Sequence, residues 1–123
     1  LLDYNYQLYP KIKEQYEKIE ARIVQEESVK KNKEIERNIL VDELKPYEER
    51  LEAFCKNASS WSDREARRNE FKRQNPEFVT KRERKDTLDL EITIIHNRIV
   101  DYNNFNNMLQ KSMELIDSVR EVA

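Results

Sequence analysis

The chain has 123 residues, of which 39% are charged and 37% hydrophobic, and its net charge is −2. This length suits one domain, and the low apolar share suits helices that bury a single stripe in a narrow core. The near-neutral balance excludes a global field that would gather nucleic acid or an anionic membrane, so an electrostatic partner has to be met by a local patch.

Glycine is absent throughout. Tight turns and helix ends that need positive φ ordinarily use it, so its absence predicts few turns and long helices. It also removes the glycine-rich loops that cradle phosphate and the turn glycine of a calcium loop. Cys55 is the only cysteine, which excludes an internal disulfide framework and points to a reducing compartment, the cytoplasm or alternatively the nucleus. There is no apolar run of membrane-spanning length and no signal-peptide segment. Leu1 in place of a methionine reads as the start of an excised piece of a larger protein. Asn57-Ala58-Ser59 matches a glycosylation acceptor, which a reducing compartment would leave unused.

In chain order, Leu1, Leu2, Tyr4, Tyr6, Leu8 and Tyr9 read as packing residues on a short helix or an extended arm, with an apolar docking arm as the alternative. Pro10 fits the first turn of the helix that follows. Ile12, Tyr16, Ile19 and Ile23 then share one helical stripe, and Leu40, Leu44, Tyr47, Leu51 and Phe54 share another. Between them the same phase falls on Glu26, Lys30, Lys33 and Arg37. Either one helix spans 11–56 with a polar seam in its middle, or a turn near 28–32 separates two helices. No strong breaker lies there, which favours continuity, and Val29, Ile35 and Ile39 offer a drifting stripe to bridge the gap. Pro46 predicts a kink, because it removes one backbone donor while the apolar phase runs on.

The segment 57–80 changes character. Ser62-Asp63-Arg64-Glu65 and Thr80-Lys81-Arg82-Glu83 both have the form of a capping box, predicting a short helix from 63 to 74 and a long one over 81–121. Trp61, Phe71, Phe78 and Val79 are expected to fix this connection to the long helices. It is also the one basic segment: residues 61–86 carry nine Lys or Arg against six Asp or Glu. Arg64, Arg67, Arg68 and Lys72 share a helical face, and Lys81, Arg82, Arg84 and Lys85 form a second cluster. Together they read either as a basic tip for an acidic surface or as a solvated face laced with Glu65, Glu70 and Glu83.

On the last helix Leu88, Ile92, Ile95, Ile99, Tyr102, Leu109, Met113 and Ile116 hold one seam, interrupted by Asn106. Phe105, Met108, Leu115, Val119 and Val122 form a second stripe beside it, so this helix needs more than one neighbour. A buried amide at Asn106 would set register or partner number, the alternative being a solvated polar turn with Asn103, Asn104 and Asn107. Catalytic chemistry has little to stand on. His96 is the only histidine, which removes paired Glu-x-x-His metal motifs, and nothing brings it to Cys55.

The expected fold is all-α: a long antiparallel helical hairpin or coiled coil of two helices on the order of 60 to 70 Å, with a short helical tip, in a single domain over 1–123. The alternative is a compact three- or four-helix bundle. The expected function is non-enzymatic, without metal or cofactor: a helical module for self- or hetero-association, whose partner face comprises Phe105, Asn106, Met108, Leu115, Val119 and Val122. The alternative is a basic tip over 61–86 that docks an acidic protein, anionic lipid or nucleic acid.

Overall fold

The structure is a computed structural model that describes residues 2–122, with side chains described for residues 7–121. Three helices follow one another: α1 (Leu2–Cys55), α2 (Trp61–Gln74) and α3 (Pro76–Val122). α1 and α3 pack against each other, antiparallel, as the absence of breakers predicts. No turn interrupts α1 at 28–32. Residues 2–9 form its first turns rather than a separate helix or arm, so Pro10 lies inside the helix and not at its start. α1 is likewise helical through Pro46, where Arg50 Nε donates to the Pro46 carbonyl at 3.4 Å. The side chains of Leu1, Leu2, Tyr4 and Tyr6 lie outside the described residues.

Both connections turn without glycine chemistry, since no described residue has positive φ. Entry to α2 is made by Ser60 in extended backbone, whose side chain accepts from Asp63 N at 3.1 Å. Asp63 reaches back to accept from Ser59 N at 2.9 Å and holds its carboxyl below the ordinary 3.8, chiefly through that backbone bond. The reciprocal cap is therefore built on Ser60 and Asp63, two residues before the box expected at Ser62 and Glu65. The Ser60 frame prevails because it supplies both an acceptor for the third amide and a short acid that reaches the preceding backbone. Exit from α2 uses one residue, Asn75: its backbone N–H bonds the Phe71 and Lys72 carbonyls, and its Nδ2 donates to Phe71 O at 2.8 Å. Pro76 then opens α3, where a missing N–H costs nothing. Thr80 is thus interior to α3 and donates to Pro76 O at 3.1 Å instead of capping a helix.

Packing divides the chain into two units, Asn32–Ile92 and Leu1–Lys31 with Thr93–Ala123. In the first unit Leu44, Phe71 and Phe78 form the core, joined by Tyr47, Leu51 and Val79. Phe78 meets Phe71 edge-on at 5.6 Å and Tyr47 at 5.7 Å. Phe78 and Leu88 are fully buried, which contributes roughly 2 to 3 kcal/mol each. Trp61 departs from expectation: it is 77% exposed and fixes nothing, because it starts α2 on a line that turns away from Phe71. Partners across the unit descend α3 as they ascend α1, from Lys33–Glu91 and Arg37–Asp89 to Glu43–Lys81 and Tyr47–Glu77.

In the second unit Ile95, Ile99 and Ile116 are buried on α3, while Ile12, Tyr16, Ile19 and Ile23 are half-buried on α1. Here too the helices run antiparallel, with Tyr16 beside Asn106, Glu26 beside Arg98 and Lys30 beside His96. Glu26 is buried, and Arg98 Nη1 donates to both its carboxylate oxygens at 3.1 Å while Arg22 approaches at 3.3 Å. These contacts explain the unbroken helix. Each polar seam position, Glu26, Lys30, Lys33 and Arg37, faces a polar or charged partner on α3, whereas the drifting stripe is 41% exposed at Val29, 51% at Ile35 and 54% at Ile39.

Candidate functional site

Within the unit of Leu1–Lys31 and Thr93–Ala123, α3 carries an outward apolar strip. Phe105 is 48% exposed, Met108 65%, Leu115 68% and Val119 44%. Spacings of three, seven and four place them on one line, beside the stripe of the buried Ile95, Ile99 and Ile116. Leu115 and Val119 form one wall of a groove of about 270 Å³, and Leu8 and Ile12 of α1 form the other. The side chain of Val122 lies outside the described residues.

Asn106 is not on this strip. It is buried in the α1–α3 seam, where its Nδ2 donates to Tyr16 O at 3.2 Å. Its Oδ1 is the one buried side-chain acceptor without a hydrogen-bond partner among the described residues. A half-satisfied amide in this position weakens the seam, since desolvating an unpaired acceptor costs about 1 to 3 kcal/mol.

In the unit of Asn32–Ile92 the expected basic patch separates into two groups. Lys81 pairs with Glu43 at 3.2 Å, Arg84 with both oxygens of Glu36, Lys85 with Asp89 at 2.8 Å, and Arg67 with Asp63 at 3.4 Å. The Arg84 guanidinium holds Glu36 below its ordinary 4.5, and Lys85, then Arg37, hold Asp89 below 3.8. These cations serve the fold. Arg64, Arg68, Lys72 and Arg82 instead line a cleft of about 320 Å³ between α1, α2 and α3, with Leu51 and the buried Cys55 among its walls.

Three carboxylates share that cleft: Glu48, Glu52 and Glu65, of which Glu52 stands 3.9 Å from Arg64. The patch is consequently of mixed sign, which charge counting along 61–86 misses because Glu48 and Glu52 come from α1. Trp61 was also missed as a surface group. Its signal is its spacing, i−3, i−7 and i−11 from Arg64, Arg68 and Lys72, which sets it on the line of the cleft-facing cations.

No group of three or more metal-ligating side chains occurs among the described residues, and none of their helices is long and apolar enough to cross a membrane. Cys55 is 1% exposed with its Sγ 3.9 Å from Arg64 O, and His96 Nδ1 lies 3.2 Å from Lys30 Nζ, so the two groups belong to different units. No family model, curated protein or solved structure matches this chain. The functional reading therefore rests on the two surfaces themselves.

Proposed function

We propose that the chain is a non-enzymatic helical assembly module of a larger complex, resident in the cytoplasm or nucleus, that joins its partner through the outer strip of α3. The observation that carries this reading is the exposure of Phe105, Met108, Leu115 and Val119 on one line of a helix whose other apolar stripe is already buried. Aligned apolar side chains at three- and four-residue spacing are the form in which one helix offers itself to another. Their cost in water is removed only when a partner covers them. The test combines sedimentation velocity at high micromolar concentration with photo-cross-linking from position 108 in cells. Association, or a cross-linked helical partner, that is lost in M108E/L115E supports the reading; a monodisperse monomer with no cross-link above that from Lys31 contradicts it.

A second reading is favoured by Trp61 and the cleft of the Asn32–Ile92 unit. An exposed tryptophan aligned with arginines is the composition of an interaction hot spot. On this reading the tip docks an acidic partner, and binding is salt-sensitive. It weakens when Arg64, Arg68 and Lys72 are reversed to glutamate; unchanged binding in that variant removes the reading.

A further inference from the structure

We infer that a groove of the Leu1–Lys31 and Thr93–Ala123 unit, between Glu20 of α1 and Asn103, Asn106 and Asn107 of α3, receives an arginine side chain from a partner protein. It is separate from the assembly strip, whose residues do not line this groove. The starting point is the amide of Asn106. The Tyr16 carbonyl can only accept, so Asn106 has to turn its Nδ2 toward it and leave Oδ1 over. A buried acceptor without a donor lowers stability unless something outside the chain supplies one.

Asn106 lines a groove of about 420 Å³ with Asn103, Asn107, Tyr16, Glu20 and the apolar Ile23 and Val24. Its Oδ1 is closed to water in the free chain. Asn103 and Asn107 flank it along α3, both exposed, and neither side chain is held by a hydrogen bond among the described residues, so a donor can pass between them. The groove carries one formal charge, the Glu20 carboxylate, and no lysine or arginine. One turn from Glu20 along α1 stand Tyr16, Glu17, Ile23 and Val24, none of them a cation. Lys18 and Arg22, two residues to either side, are engaged by Glu14 and Glu26, and Arg98 is engaged by Glu26. Lys13 is about two turns away along α1, and Lys111 lies five residues past Asn106, which sits beside Tyr16, so it too is about two turns or more from Glu20.

Glu20 accepts from the Tyr16 hydroxyl, which raises the tyrosine pKa, and its remaining lone pairs face the groove without a cation. A carboxylate among amide oxygens repels anions and favours a group that only donates. Guanidinium is such a group: it has five N–H donors and no acceptor, and its planar fork can meet Glu20 and the amide oxygens together. The aliphatic stem of the arginine then covers Ile23 and the exposed Val24. Lysine brings the charge as a point with three donors, and citrulline brings the shape of arginine without the charge.

The test follows the asparagine side-chain amide signals of the full chain by NMR, at constant ionic strength, while the acetylated amide of arginine, lysine or citrulline is added. Arginine shifts the signals of Asn103, Asn106 and Asn107 with a midpoint on the order of 5 mM, and citrulline binds about fivefold more weakly, with lysine between them. In E20Q the preference for arginine over citrulline disappears. In N106L arginine binds about fivefold more weakly although the urea midpoint rises, a split that damage to the fold would not produce. Shifts at these three amides no larger than at exposed Asn57 overturn the site. Equal binding of arginine and citrulline overturns its selection of a cation, and binding unchanged in N106L overturns the use of the buried acceptor. Self-association of the chain that is lost in E20Q makes the arginine that of a second copy and overturns a different protein as its source.

Discussion

Asn106 and Glu26 are the two buried polar residues among the described residues, and they are treated differently by their surroundings. Glu26 has its charge met by two hydrogen bonds from Arg98 and a contact from Arg22, so its burial is compensated. Asn106 has one bond to a carbonyl and an acceptor left over. Replacing it by leucine removes the unpaired oxygen, adds apolar contact to the seam and improves helix propensity. Asn106→Leu is therefore expected to raise stability by about 1 to 2 kcal/mol in urea denaturation. A lower midpoint would mean that the amide is better satisfied than its geometry indicates. The position of Asn106 in the heptad phase is readable from sequence, but its partner is not, because Tyr16 lies on the other helix.

Helix α1 passes through two prolines in its interior, Pro10 and Pro46. Each removes one backbone bond and crowds the preceding turn, a penalty of up to about 3 kcal/mol relative to alanine. Pro46→Ala is expected to raise the thermal midpoint, by an amount reduced by any adjustment the packed helix has already made. A lower midpoint would show that the proline ring is required by the packing of Leu44 and Tyr47. Pairing between α1 and α3 in the Asn32–Ile92 unit also predicts an acid response. Glu36 and Asp89 hold their protons less tightly folded than unfolded, because Arg84 and Lys85 with Arg37 favour the charged forms. Their contribution is complete above the ordinary values of 4.5 and 3.8 and is lost as pH falls through the lower folded ones. Urea midpoints should thus be flat from about pH 7 to about pH 5 and fall below about pH 4, less steeply in E36Q/R84Q. A midpoint that rises on acidification would contradict this.

How much of these elements can be read from the residues follows from range. Missing glycine and the heptad phase are local, and they favour long helices and an unbroken α1 while leaving a turn near 28–32 open. The cap of α2 lies at Ser60 rather than Ser62 because two overlapping Ser-x-x-acid frames compete, and α3 opens at Pro76 rather than at Thr80 because Asn75 alone makes the turn. The polar seam at Glu26, Lys30, Lys33 and Arg37 looks like a gap along α1. Its partners become visible once α3 supplies His96, Arg98, Glu91 and Asp89.

For the whole molecule, the same distinction separates the two candidate surfaces. The strip of Phe105, Met108, Leu115 and Val119 lies on one helix, so its periodicity announces it. The cleft of Arg64, Arg68, Lys72 and Arg82 gathers carboxylates from α1, so sequence charge alone gives it the wrong sign pattern. The assembly reading requires the strip to be covered in the protein's working state, and the chain carries its own probe. Of its two methionines, Met108 is 65% exposed on the strip and Met113 is half-buried. Oxidative footprinting, comparing the isolated chain with the chain in intact cells, reads both at once. Met108 should oxidise faster than Met113 in isolation and become protected in cells, with Met113 little changed; equal oxidation of Met108 in both settings would contradict the claim that this face is an interface.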